Sequence, residues 1–410
     1  MTDWMERAVA LDANDGMAWT RDRFELPEGV IYLDGNSLGA RPRGVAERVA
    51  QVLDAEWRDG LIRSWNDAGW FDLPLRVGDR IAPLIGVGAG EVAVGDSTSV
   101  NLFKCLAAAL HARPDRSVIL CEAGNFPTDG YMAQGLTRLV EKAELRWFDD
   151  AEDVRAKLGP DVAVVLLSHV HYRSAAVQDM AAVNAAAHAA GALVLWDLSH
   201  STGAVPVDLG GTGADMAVGC TYKYLNGGPG APAFAWVAPG LAPVSQPLAG
   251  WMGHAAPFAF DRDYAPADGA RGLMAGTPQV LSLSALDAAL EIWEEVDRPA
   301  LWARSEAMVA FFIDAVLDLC AGHGLALVSP RAAPRGSHVG FDHPEGYAIV
   351  QALIARGIIG DFRAPQMMRF GFAPLYLRFA DLTAAALALR DVLETRAWDD
   401  PRFQARGAVT

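Results

Sequence analysis

Cysteine is scarce: four residues, Cys105, Cys121, Cys220 and Cys320, are spread over 410 positions with no C-x-x-C spacing. That pattern argues against a zinc framework or a disulfide-stapled fold and fits a reducing cytoplasm. Basic charge is also in deficit, with 34 Lys and Arg against 50 Asp and Glu and a net charge of −16. Such a surface repels phosphate backbones and anionic lipid, so no nucleic-acid or membrane partner is expected. Long apolar runs are missing too. The richest window, residues 181–196, is mostly Ala, is interrupted by Asn184 and His188, and runs into Asp197. It reads as a helix followed by a strand rather than a bilayer span. The opening MTDWMERAVALDANDGM carries acids where a secretory peptide has a basic region, so an export signal is not expected. No internal repeat and no low-complexity tract appears.

What remains is a globular chain, 52% apolar and 20% charged, long enough for two to three domains. Between about 43 and 59, Val45, Val49, Val52, Leu53 and Trp57 recur at helical spacing behind Pro42 and ahead of Gly60. Short apolar runs then alternate with helical ones: EVAVG, a helix through 102–112, SVIL, and a helix near 129–138. VAVVLL, a helix over 179–190, ALVLW and DMAVGC continue the series. Strands apolar on both faces and joined by helices call for a mainly parallel sheet covered on both sides. The sequence thus predicts a large α/β domain over 45–285. A smaller α+β domain follows over 286–410, where a helix presents Met308, Phe311, Phe312, Val316 and Leu319, and an N-terminal segment, 1–44, joins that domain. LSLSALDAALEIWEEV, 281–296, holds no Gly or Pro and is expected to be one helix linking the two.

In an open α/β sheet, ligands lie beyond the carboxyl ends of the strands, so the polar residues after each apolar run are the candidates. DSTSVN, Asp96 to Asn101, follows EVAVG and enters a helix; hydroxyls and free N–H groups there suit a phosphate, though plain N-caps look the same. ALVLW runs into Asp197 and His200, and DMAVGC into TYKYLNGGPG with Lys223. An acid, a lysine 26 residues later after the next strand, and a phosphate-suited helix start together meet the three needs of pyridoxal 5'-phosphate. These are an amine for its aldehyde, a carboxylate for its pyridine nitrogen, and N–H donors for its phosphate. His169 and His171, in SHVHY, have metal-like spacing without a third ligand, and structural or rim roles are expected.

YLDGNSLGARP (32–42), NFPTD (125–129), DLSHSTGAVPVDL (197–209), YKYLNGGPG (222–230), GWMGH (250–254) and GDFRAPQMMRFGFAPLY (360–376) resemble the kynureninases, closest to bacterial members, in that family's order along nearly the whole chain. The resemblance implies the fold type I architecture of the class V aminotransferase superfamily, with a seven-stranded sheet. It implies hydrolysis of L-kynurenine to anthranilate and L-alanine in tryptophan catabolism. Lys223 would be the Schiff-base lysine and proton shuttle, Asp197 the partner of the pyridine nitrogen, and Tyr222 a phosphate ligand and proton relay. Thr98 and Ser99 would hold the phosphate, with Trp251 and Thr277 supplied by the second subunit of a homodimer. Phe126 would stack on the ring, and Asp129, Ser168 and His200 complete the cofactor shell. Arg369 would take the substrate α-carboxylate as a bidentate pair, with Ser37 and Tyr172 as further substrate contacts.

Two departures bear on the substrate. Animal members have Asn where Thr277 stands and a His near the substrate ring, whereas this chain has no His before His111, and Trp65 is the candidate for that space. Plain kynurenine is therefore expected over its 3-hydroxy analogue. A cysteine desulfurase or an aminotransferase would keep Lys223 and Asp197, and a non-catalytic relative would keep only the fold.

Overall fold

The computed structural model describes residues 4–242 and 244–405. The outermost residues of the expected end domains, 1–3 and 406–410, lie outside them. The chain divides into two compact units. One comprises Gly44–Tyr172 and Gln178–Leu290; the other takes the chain up to Arg43, the excursion Arg173–Val177, and everything from Glu291.

The larger unit holds seven strands: β1 (Val92–Val94), β2 (Val118–Glu122), β3 (Glu144–Phe148), β4 (Val162–Ser168), β5 (Leu193–Asp197), β6 (Met216–Gly219) and β7 (Phe234–Val237). Their order is β1-β7-β6-β5-β4-β2-β3. Every residue of β1, β2, β4, β5 and β6 is buried, as an apolar run covered on both faces must be. Only β7 runs against its neighbours, antiparallel to both β1 and β6. Two reversals cancel, so β1 points the same way as β6 and its C-terminal end lies on the same edge of the sheet. Capping residues start the covering helices where the sequence supplies them. Ser97 Oγ accepts from Val100 N ahead of Thr98–Ala112, Pro127 opens Pro127–Thr137, and Asp179 accepts from Ala182 N ahead of Met180–Ala189.

Two strands, β3 and β7, and the helix Ala151–Lys157 were not anticipated from the sequence pattern. The helix foreseen over 43–59 is α-helical for Val45–Gln51 and widens to a π-helix over Val52–Gly60. Glu56, buried in that wider turn, accepts from Arg48 Nη1 at 2.6 Å and Trp70 Nε1 at 2.7 Å. The single helix expected over 281–296 is corrected: Val280–Ala289 and Ile292–Glu295 are separate. Residues 288–290 and then 292 and 293 are all buried, more of the circumference than one face of a straight helix can cover, and the chain breaks at Leu290 and Glu291 to bury them.

In the smaller unit, β8 (Ala326–Leu327), β9 (His338–Asp342), β10 (Asp361–Arg363) and β11 (Met367–Gly371) form an antiparallel sheet in the order β10-β11-β9-β8. The long helix Arg298–Leu319, capped by Asp297, buries Met308, Phe311, Phe312 and Val316. Ile31–Tyr32 pairs in parallel with Ile358–Ile359, which ties the N-terminal segment into this unit. No described helix is long and apolar enough to cross a membrane.

Gly78, on the helix Leu73–Ile81, approaches β1 so closely that a Cβ would stand 2.0 Å from Val92 O. Gly78→Ala is expected to lose stability. Overpacking of about 1–3 kcal/mol outweighs the helix-propensity gain of about 1 kcal/mol, and urea unfolding of the two proteins measures the difference.

Candidate active site

The strand ends of the larger unit bring most of the singled-out residues to one edge of the sheet. β5 ends at Asp197, which is in register with Ser168 at the end of β4 and with Val218 on β6. Asp197 is buried; its Oδ1 accepts from Ser199 N at 2.7 Å, and its carbonyl accepts from His169 N at 3.0 Å. Just after β6, Lys223 Nζ lies 3.0 Å from His200 Nε2, in the turn that follows Asp197. A glycine-rich stretch follows, and its Asn226, at φ 59°, bonds back to Lys223 O.

Beside them is Asp129, which the family resemblance places in the cofactor shell. Asp129 is fully enclosed, and burial together with the charge of Asp197 pushes its carboxyl well above the usual range, while Lys223 and Asn125 oppose the shift. Asn125 is the connector that sequence reasoning missed. Its Nδ2 donates to Asp129 Oδ2 at 2.7 Å, and its Oδ1 accepts from Ser168 Oγ and from Phe126 N. Glu122, at the end of β2, was also missed. Burial lifts its carboxyl to about 7, against the opposing pull of the Ser168 backbone and of Gln178, whose Nε2 donates to Oε1 at 3.2 Å.

Phe126, exposed on one side, meets Tyr172 edge to face with ring centroids 5.4 Å apart. Tyr222 has its phenol pushed up by the adjacent Cys220 sulfur and by burial. On the same sheet edge, β1 leads through Asp96 into the helix start with Thr98 and Ser99. Ser97 supplies the acceptors for Val100 N and Asn101 N, and the hydroxyls of Thr98 and Ser99 stand in the first turn. Trp251 and Thr277 are exposed on adjoining loops, joined by Met252 N donating to Ala275 O at 3.3 Å. Trp251 packs against Phe258, and Trp65 against Trp70.

Ser37 and Arg369 belong to the smaller unit, where they touch. Arg369 is 1% exposed, and its Nη2 donates to Ser37 Oγ at 2.9 Å. Its Nε donates to Asp361 Oδ1 at 2.9 Å, and Asp361 also accepts from Arg363 Nη2 at 2.7 Å. Asp361 faces Arg369 because β10 and β11 pair in that register. Asp34, half-buried nearby, is raised to about 7 by burial and by the charge of Asp361.

His169 is buried edge-on to Trp196, with Nδ1 3.1 Å from Ser201 Oγ, and His171 Nε2 lies 2.8 Å from Gly124 O. Burial pushes His169 down to about 4. In the unfolded chain a histidine takes its proton near pH 6.5, so stability falls as pH drops from about 6.5 towards 4 and this contribution is flat below that. His169→Gln is expected to flatten that slope, read as the pH dependence of the denaturant midpoint.

Solved structures with this architecture include a C-DES mutant with glycine covalently linked to its PLP cofactor, at TM-score 0.79 and 18% identity over 90% of this chain and 99% of that one. Cysteine desulfurase CsdA from Escherichia coli aligns at TM-score 0.76 and 19% identity over 93% and 99%. The chain therefore has the fold type I architecture that these structures share. Sequence relatives narrow the class. Kynureninase of Burkholderia pseudomallei (strain 1106a) is 52% identical over 413 residues, 99% of each chain, and kynureninase of Pseudomonas fluorescens is 50% identical over 98% of each. Residues 301–389 match the family model for the kynureninase C-terminal domain. The chain belongs to the kynureninase family.

Proposed function

We propose that this protein hydrolyses L-kynurenine to anthranilate and L-alanine, cleaving the bond between Cβ and Cγ, with pyridoxal 5'-phosphate as its cofactor. The observation that carries this reading is the convergence of Lys223, Asp197 and the Thr98–Ser99 helix start on one sheet edge, in a chain about half identical to named kynureninases. The donor set fits the cofactor. Thr98 and Ser99 offer hydroxyls, with the helix dipole behind them, to a phosphate. The buried Asp197 carboxylate suits a protonated pyridine nitrogen, Lys223 is the amine for the aldehyde, and the exposed ring of Phe126 is available for stacking. When bound, the cofactor supplies an electron sink next to the substrate α-carbon.

The chain's own residues then divide the work. Arg369, steadied by Asp361, grips the substrate α-carboxylate, with Ser37 bonded to the same guanidinium. Lys223 Nζ takes the α-proton and can share it with His200 Nε2. Tyr222 relays a proton from its half-buried phenol, and Tyr172 walls the aromatic end of the substrate beside Phe126. Water adds to the γ-carbonyl, anthranilate leaves with the acyl carbon, and Cβ gains a proton to give alanine. Asp129, Ser168 and His200 keep the cofactor shell in place.

A desulfurase reading lacks its nucleophile. Cys105, Cys121, Cys220 and Cys320 are all buried, and burial raises each thiol, Cys105 and Cys320 to about 12. Four scattered cysteines without paired spacing suit a cytoplasmic location. Incubation with kynurenine should release anthranilate, followed by its fluorescence. Lys223→Ala should abolish the release and remove the visible band of bound cofactor. Sulfide from cysteine in place of anthranilate would overturn the reading, and a protein that stays colourless with pyridoxal phosphate would remove catalysis altogether.

The same reading makes the protein a homodimer, with Trp251 and Thr277 reaching the neighbour's cofactor. Leu53, Trp57, Ile62 and Leu281 are exposed in the larger unit, as are Phe258 and Phe260 near Trp251, apolar side chains that a second copy could cover. Light scattering should return twice the chain mass for the active species; activity from a monomer would contradict it.

A further inference from the structure

Lys104 lies on the helix Thr98–Ala112 and is 2% exposed. A buried ammonium is unfavourable unless every donor meets an acceptor, and Nζ bridges two. It donates to Asp96 Oδ2 at 2.9 Å and to Leu273 O at 2.6 Å. Asp96 is the residue before Ser97 and holds φ 55°, a left-handed conformation that Asp tolerates better than most residues with a side chain. Its carbonyl is fixed as well, accepting from Ala233 N at 3.0 Å. Leu273 closes the turn Gly269–Leu273, four residues ahead of Thr277. Asp96, Lys104, Leu273 and Thr277 line one cavity. The segment after Leu273 also carries the Trp251 loop, since Met252 N bonds Ala275 O and a Cβ on Gly250 would stand 2.0 Å from that oxygen.

We propose that Lys104 is a positioning residue for two cofactor sites at once. Through Asp96 it holds the phosphate turn of its own chain, and through Leu273 it holds the loop that carries Thr277 and Trp251 towards the partner's site. This rests on the homodimer reading above. A methionine could fill the same channel but would donate to neither acceptor, so both segments would lose their common anchor.

Mixed dimers separate the two arms. One chain carries Lys223→Ala, so only the other chain binds pyridoxal phosphate covalently, and the readout is the cofactor dissociation constant from the visible band. Lys104→Met placed in the binding chain should weaken the cofactor at least tenfold through the turn. Placed in the Lys223→Ala chain, it should weaken the same site at least tenfold through the Thr277 loop. Asp96→Asn removes the charge from the first link alone, leaving a weaker acceptor, and should act in the binding chain alone; its partly exposed side chain keeps the test open if Lys104→Met fails to fold. Calorimetry of the apoprotein should show an unchanged dimer, separating positioning from unfolding. An unchanged constant in either Lys104→Met arrangement, or an Asp96→Asn effect from the non-binding chain, would overturn the proposal. Thr277→Ala in the non-binding chain without effect would instead overturn the two-chain reading of the site.

Discussion

Parallel strands deliver their last residues to the same edge, and here that delivery crowds acids together. Asp197 ends β5, Glu122 ends β2 on the far side of β4, and Asp129 lies in the helix that follows β2; all three are buried, with Lys223 close by. Burial raises both Asp129 and Glu122, and the charges of Asp197 and Glu122 add to the rise at Asp129, while Asp197 accepts the bond from Ser199 N. The neighbouring hydrogen bonds answer to that arrangement. Asn125 spans Asp129 and Ser168, Gln178 meets one oxygen of Glu122, and His200 stands against Lys223.

The smaller unit meets the opposite problem, two guanidinium groups against one strong acceptor. Asp361 serves both Arg369 and Arg363, and Ser37 lies within reach of each. Arg369 is the better enclosed of the two, so its orientation is the more tightly set. Asp34, raised to about 7 by burial and the charge of Asp361, stands beside the same two guanidinium groups.

What the residue pattern revealed follows from how strongly each element depends on its own side chains. The central strands were legible because burial on both faces leaves an unbroken apolar run. β3 was not: it lies at the sheet edge, and Glu144 and Arg146 disguise it. β7 was hidden by the prolines on either side, Pro232 and Pro239. Asp197 and Lys223 stood out because polar groups at the ends of apolar runs demand an explanation. Asn125 and Asp361 did not, since their importance lies in partners that only helix geometry or strand register brings within reach. The break at Leu290 was equally invisible, because no Gly or Pro marks a bend made to bury side chains on several sides.

The reversed strand β7 has a further consequence. By standing between β1 and β6 it separates the helix start at Thr98 from Asp197 by three interstrand steps rather than two. At about 4.8 Å per step, that is roughly 14 Å of sheet width. The sheet thus sets where the two groups start, and the turn at Asp96 and Ser97, reaching over the strand ends, sets how much of that width a ligand has to span.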